Sequence, residues 1–383
     1  MTRVRSALLR AGTLGASLAF AQAAPAASEI ALAHVAPLSG PVTREATEYN
    51  AGIRLALKAA NAAGGIHGKQ LVLRTLDDEY KADTALTRFR EAAASDALAA
   101  LMTVGSPAMT RLLAEQFPET QKFPVIGVIP GAEPLRTPIN PYVYHVRAGD
   151  VEQYRKLAEH AATTGQQRVA VVYADIPFGV AGLATLESLF RGKSQQIVAR
   201  VALPMGGKAD LPAAVKTLAA ARPDIIYMVI PAQLAGEFLK AYRSGSGGLP
   251  AQLATVSYGN AETLCQVAGE DATRGVVVAQ VMPNLGNSAI PVVRRFHEDM
   301  AKFGEPGTRP SIFHLEAYVT TRIVLEAIRR AGPAPTRPKL VQALDGLKHY
   351  DVGGYTVDFS PTRHTGSSFV DISIVGRGCK LML

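Results

Sequence analysis

The residues of this chain best suited to chemistry sit where apolar runs end, and their types suit binding better than reaction. Ser106 follows the apolar run 98–104 and stands between Gly105 and Pro107. A serine at a helix cap, with proline as first helical residue, leaves free amides and the positive end of the helix dipole where a carboxylate docks. The plainer alternative is a serine bonded only to its own helix. Ile129, Pro130 and Gly131 close the next run, and Gly131 would let the backbone approach a ligand closely. Phe178, after the run 168–173, offers an aromatic wall or else packs beneath its own helix. Pro231 ends a further run, Ser257 and Tyr258 end another, and Ser39 lies in the loop Pro37-Leu38-Ser39-Gly40-Pro41 after the first.

Reactive constellations are missing from the sequence. It holds no H-E-x-x-H, no G-x-S-x-G, no G-x-G-x-x-G and no G-x-x-x-x-G-K-[ST]. Eight histidines are scattered, none closer than 15 residues to the next, and no cysteine pair has metal-ligand spacing. The segment Gly64-Gly65-Ile66-His67-Gly68-Lys69 follows a helical pattern and precedes a strand, the reverse of a phosphate loop, so it reads as a turn. Asp77-Asp78 has no third acid or histidine nearby and is expected to cap the next turn. No catalytic residue, metal site or cofactor is expected.

The elements that must position these residues alternate with regularity. Strands are predicted at 30–36, 71–76, 98–104, 124–129, 142–146, 168–173, 196–203, 224–230, 251–256 and 275–281. Helices are predicted at 45–63, from 107, and at 151–163, 178–190, 211–221, 233–243 and 261–267. Repeated strand–helix units mean parallel sheets with helices on both faces, and ligands then bind at the carboxyl ends of the strands. The units are too many for one sheet, so an α/β fold in two parts is expected. Past 281 the pattern turns helical (291–303, 311–330, 339–347), and two late strands at 350–358 and 368–375 close the chain.

The first 26 residues read as a secretory signal: Arg3, Arg5 and Arg10, a short apolar core at 11–20, then small residues fitting cleavage after Ala23 or Ala26. About 355 residues remain, enough for two domains. The formal charge of +8 falls to +5 without the three signal arginines. With no basic run and no interleaved aromatics, nucleic acid is excluded as a partner. Cys265 and Cys379 are expected to stay unpaired, since a core of this size does not need a disulfide.

Several segments resemble the periplasmic binding proteins of branched-chain amino acid ABC transporters, the leucine/isoleucine/valine type. They are Ala36 to Pro41, Asn61 to Gly68 with Asp77-Asp78, Asn140 to Arg147, Phe178-Gly179, Gly353-Gly354-Tyr355 and the final strand. The resemblance implies two Rossmann-like lobes joined by three crossovers, a type I periplasmic binding protein closing like a hinge. Lobe 1 would span 27–147 plus 280–355, and lobe 2 would span 148–279 plus 356–383. It implies that Ser106, with Pro107 beside it, takes a ligand carboxylate. The assisting threonine falls on Gly131, and the carbonyl that takes the ammonium falls on Ile129. Contact tyrosines fall on Glu45, Phe178 and Pro231, and the acid facing the ammonium falls near Ser257 and Tyr258. With that acid missing, a buried ammonium would cost several kcal/mol, so an amine-free carboxylate is expected unless Glu45 or Glu133 substitutes. The function implied is that of a monomeric, non-enzymatic periplasmic solute receptor, passing a small carboxylate or amino acid-like ligand to ABC permease and ATPase subunits. A sensory receptor is the alternative, and an exported α/β hydrolase stands behind it.

Overall fold

A computed structural model describes residues 29–382 apart from 41, 206–207 and 246–250. The secretory segment therefore lies outside the described residues. Strands β1 (Glu29–Ala36), β2 (Gln70–Asp77), β3 (Ala100–Leu101), β4 (Val125–Ile126) and β5 (Val143–Tyr144) form one parallel sheet in the order β2-β1-β3-β4-β5. Strands β6 (Arg168–Ala174), β7 (Gln196–Leu203), β8 (Ile225–Val229), β9 (Gln252–Thr255) and β10 (Val277–Gln280) repeat that order in a second sheet, β7-β6-β8-β9-β10. A small hairpin, β11 (Tyr350–Asp351) with β12 (Thr356–Val357), follows. Strands β13 (Asp371–Val375) and β14 (Leu381–Met382) then extend the second sheet antiparallel beyond β10.

Local sequence explains these elements. In β1, every residue after Glu29 is buried, as a central parallel strand covered on both faces requires. The helix Thr43–Ala62 ends at Gly64 and Gly65, both at positive φ, and a Cβ on Gly65 would stand 2.0 Å from the Lys69 carbonyl oxygen. The glycine-rich segment is thus a turn, as its position after a helix implied. Three predicted strands shrink to two-residue β3, β4 and β5, because only their centres hold ladder pairing. The predicted strand 350–358 is broken into the β11–β12 hairpin by Gly353 and Gly354, both at positive φ. A helix absent from the sequence reading, Ala82–Ala94, buries Ala85, Leu86, Phe89 and Ala92 on one face.

The chain passes between the two layered bodies three times. After β5 it enters the helix Asp150–Thr163, which packs on the second sheet. After β10 it returns, and the helices Pro291–Phe303, Ile312–Arg330 and Arg337–Asp345 share a core with Thr43–Ala62. Val357 and Phe359 still belong to that core, a little past the expected boundary at 355. The last passage leads into β13.

One expectation is overturned. Cys265 and Cys379 form a disulfide, with their Cα atoms 6.2 Å apart. Strand β14 folds back beside β13 through the turn Arg377–Cys379, and this turn packs on the helix Ala261–Ala268 that carries Cys265. The amide of Gly378 also donates to Glu270 Oε1 at 2.9 Å, docking the turn. The antiparallel extension therefore brings together cysteines 114 residues apart. Closing a loop of that length is expected to contribute about 2–5 kcal/mol. Cys265→Ser with Cys379→Ser should lower the urea midpoint accordingly, and a reductant should lower the wild type to the variant's level and leave the variant unmoved.

Candidate functional site

In an open parallel sheet the ligand crevice lies outside the carboxyl ends of strands, where the strand order reverses. That point falls between β1 and β3 in the first sheet and between β6 and β8 in the second. Loops from both points, with those after β4 and β9, line a cavity of ≈ 70 Å³. One water needs about 10–15 Å³ of such space, so a few non-hydrogen atoms fit without further opening.

Six of the ten expected residues line this cavity: Glu45, Ser106, Ile129, Phe178, Pro231 and Tyr258. Ser106 is not a helix cap, correcting the sequence reading by one residue. Gly105 occupies the cap position, Ser106 is the first residue of the helix Ser106–Ala114, and Pro107 is the second and does not line the cavity. The Ser106 hydroxyl instead accepts the amide of Phe178 at 3.2 Å, a bond between the two lobes. Ser39 faces away. Its hydroxyl donates to Asp77 Oδ2 at 2.6 Å, while Asp77 Oδ1 accepts the amides of Leu38 and Glu79, both at 2.9 Å. The aspartate pair thus caps and cross-links turns, as expected. Asp78 Oδ1 accepts the Tyr80 amide at 2.8 Å, and burial pushes the Asp78 carboxyl up to about 7.

Gly131 and Ser257 stand just behind the wall, in a network centred on Tyr258. The Tyr258 hydroxyl accepts the amide of Gly131 at 2.8 Å and lies 3.0 Å from the carbonyl oxygen of Ile129 and 2.7 Å from Asp150 Oδ1. A Cβ on Gly131 would stand 2.2 Å from Asp150 Oδ1, so this carboxyl fills the space a side chain would need. Burial pushes the Asp150 carboxyl up, against the pull of the Tyr258 hydroxyl, Arg147 and Arg136.

Arg147 lies deeper still and was not anticipated as a site residue. Its side chain is 2% exposed, it pairs with Glu316 at 3.4 Å, and its guanidinium lies 4.6 Å from the Tyr258 ring centroid. It also donates to the Ser257 hydroxyl, whose own amide donates to Gln153 Oε1 at 2.9 Å. Burial works against the guanidinium charge, and Glu316, Tyr258, Tyr49 and Asp150 together outweigh it. Burial pushes the Glu316 carboxyl up, opposed by Arg147 and the Tyr49 hydroxyl.

Sequence reasoning also missed Tyr49, Tyr80 and Phe313 in the wall. Tyr49 recurs four residues after Glu45 on one helix, a spacing that puts both on the same face. Tyr80 had no such signal: it sits at φ 59° in the turn after Asp78, and its ring packs where Gly105 lacks a side chain.

The comparisons with known proteins agree with this geometry. Residues 29–374 match the model of the periplasmic binding protein family. The chain belongs to that family. A substrate-binding periplasmic protein from Ralstonia solanacearum is 33% identical, with a TM-score of 0.87 over 92% of this chain and 99% of its own. A branched-chain amino acid ABC transporter protein from Thermus thermophilus, solved with bound valine, has a TM-score of 0.84 at 22% identity, covering 93% of this chain and 95% of its own. Leu/Ile/Val-binding protein homolog 3 of Brucella melitensis is 22% identical over 95% of this chain and 96% of its own. This periplasmic binding protein is thus a type I, two-lobed α/β protein similar to a substrate-binding one.

Two measurements check the electrostatics of the cleft. Arg147→Met should cost about 3–5 kcal/mol in urea unfolding by leaving Glu316 buried and unpaired, and adding Glu316→Gln should recover most of the loss. Asp78 has a folded pKa above its unfolded one, so its contribution is full at low pH and is lost as pH rises from about 4 to about 7. Asp78→Asn should match the wild type at pH 4 and exceed it at pH 8, by at most about 4 kcal/mol.

Proposed function

We propose that this periplasmic binding protein captures a small amine-free carboxylate, aromatic or aliphatic, between its lobes. The ligand is then delivered without turnover to an ABC permease and its ATPase, and the receptor acts as an exported monomer. The observation that carries the ligand reading is the placement of the Tyr258 hydroxyl. It pairs with the Gly131 amide and lies at hydrogen-bond distance from the Ile129 carbonyl. These are the two backbone groups an α-amino acid would need, and displacing the hydroxyl would strip Asp150 of a partner inside the protein. Of the carboxyls near the cavity only Glu45 lacks a side-chain partner among the described residues, and burial pushes it toward the neutral form, which suits an uncharged partner better than an ammonium. Asp150 is held by Tyr258, Glu316 by Arg147 and Tyr49, and Glu133 bonds Thr137 away from the cavity.

The carboxylate end of the ligand fits the helix Ser106–Ala114. Its first-turn amides have no intrahelical acceptors, its dipole favours an anion, and the Ser106 hydroxyl proton is free to donate. The remaining wall, with Val104, Ile129, Ile176, Phe178, Pro231 and Phe313, suits an apolar body.

Titration calorimetry on protein freed of ligand by unfolding and refolding tests this. Small carboxylic acids should bind at least 100-fold tighter than leucine, valine or phenylalanine. Tight binding of any of those amino acids, with none of the acids, would sink the reading.

A further inference from the structure

The cavity holds a second polar group that the carboxylate end of the ligand does not use. Glu45 stands in the first turn of the helix Thr43–Ala62, is 9% exposed, and lines the cavity. Its charge has no cation beside it. Arg44, the adjacent basic residue, is spent on Glu48 at 3.0 Å and on Gln266 across the cleft. Among the described residues no side chain donates to Glu45, whose carboxyl is met by its own backbone amide. The Tyr80 hydroxyl, in the same wall, likewise has no hydrogen-bond partner among the described residues.

A carboxyl and a phenol facing a mostly apolar cleft lose hydration when a ligand fills it, unless that ligand supplies partners. Resting on the carboxylate reading above, we infer that the ligand carries a hydroxyl group besides its carboxylate, and that Glu45 and Tyr80 select for it. A hydroxyl can donate to Glu45 and accept from Tyr80 at once, and it brings no further charge into the cavity. A site built to bond a hydroxyl rejects the analogue lacking it far more strongly than an apolar pocket rejects an extra methylene. Glu45 is thus a specificity-determining residue rather than a remnant of an aromatic contact. Burial raises its carboxyl pKa, consistent with an uncharged partner.

Calorimetry with matched pairs tests this: benzoate against its 2-, 3- and 4-hydroxy isomers, and pentanoate against 5-hydroxypentanoate. In the wild type at least one hydroxylated acid should bind 10-fold or more tighter than its parent. Glu45→Gln, which keeps an acceptor, should retain most of that preference. Glu45→Leu should abolish it and tighten binding of the parent acid, a gain that a merely misfolded variant would not show. Equal or tighter binding of the parents to the wild type overturns this inference and leaves the carboxylate reading standing. Tighter binding of 4-aminomethylbenzoate than of any hydroxy acid overturns it too, because Glu45 would then pair with an ammonium. Failure of every acid to bind overturns the carboxylate reading itself, and this inference with it.

Discussion

The cleft is organised around one buried cation. Arg147 lies on the first passage between the lobes, where no water can solvate its guanidinium, so protein groups must do so. Glu316 answers from the helix Ile312–Arg330 of the first lobe, and Ser257 and the face of Tyr258 answer from the loop after β9 of the second. Satisfying the charge thereby sets where the two lobes stand at this point. Arg136 braces the same passage: it donates to the carbonyls of Arg147 and Ala148 and to the Thr365 hydroxyl, tying the first passage to the third. The backbone joins there as well, with the His145 amide on the His364 carbonyl at 2.8 Å and the Gly366 amide on the His145 carbonyl at 2.7 Å. Two of the three connecting segments are therefore a paired ribbon rather than independent linkers.

What looks in the sequence like several unrelated departures from the leucine-binding pattern is one hydrogen-bonded unit. Arg147 holds Tyr258 by its ring, so the Tyr258 hydroxyl reaches Asp150, Ile129 and Gly131. Asp150 needs the space a side chain at position 131 would take, which is why a glycine stands where the resemblance puts a threonine. Changing any one member alone would leave a buried polar group without its partner, and such groups are costly in a low-dielectric interior.

The fold was legible wherever a long apolar run recurred at strand or helix spacing. The runs 168–173 and 196–203 became β6 and β7 nearly to the residue: β6, an inner strand, is apolar and almost wholly buried, and the edge strand β7 keeps an apolar run broken only by Arg200. The helix Ala82–Ala94 was missed although its buried face recurs at helical spacing, since its alanines and arginines give weak contrast. Five wall residues, Ser106, Ile129, Phe178, Pro231 and Tyr258, were legible because topology places them after strand ends, and Glu45 only through the family resemblance. Arg147, Glu316 and Asp150 were not, because their role exists only in a pairing across more than a hundred residues, and a lone charged residue reads as solvated surface. The disulfide escaped for the same reason. Nothing near Cys265 or Cys379 marks the antiparallel extension that joins them.

The two lobes contribute unlike walls to the cavity, although their sheets share one strand order. Glu45, Tyr49, Tyr80 and Ser106 all come from the first lobe. The second supplies Ile176, Phe178, Pro231 and Ala232, with Tyr258, whose hydroxyl is already engaged. Hydrogen bonds fix orientation and exclude analogues, whereas apolar burial is non-directional and contributes about 25 cal/mol per Å². The side chains free to bond directionally thus lie on the first lobe, which also supplies Val104, Pro130 and Phe313, while the second lobe's share is almost wholly apolar. The amide of Phe178 on Ser106 joins the two walls, because it brings the Phe178 ring of the second lobe onto the first residue of the helix Ser106–Ala114. Topology accounts for where the cavity lies, and the asymmetry between its two walls follows from the side chains each lobe brings there.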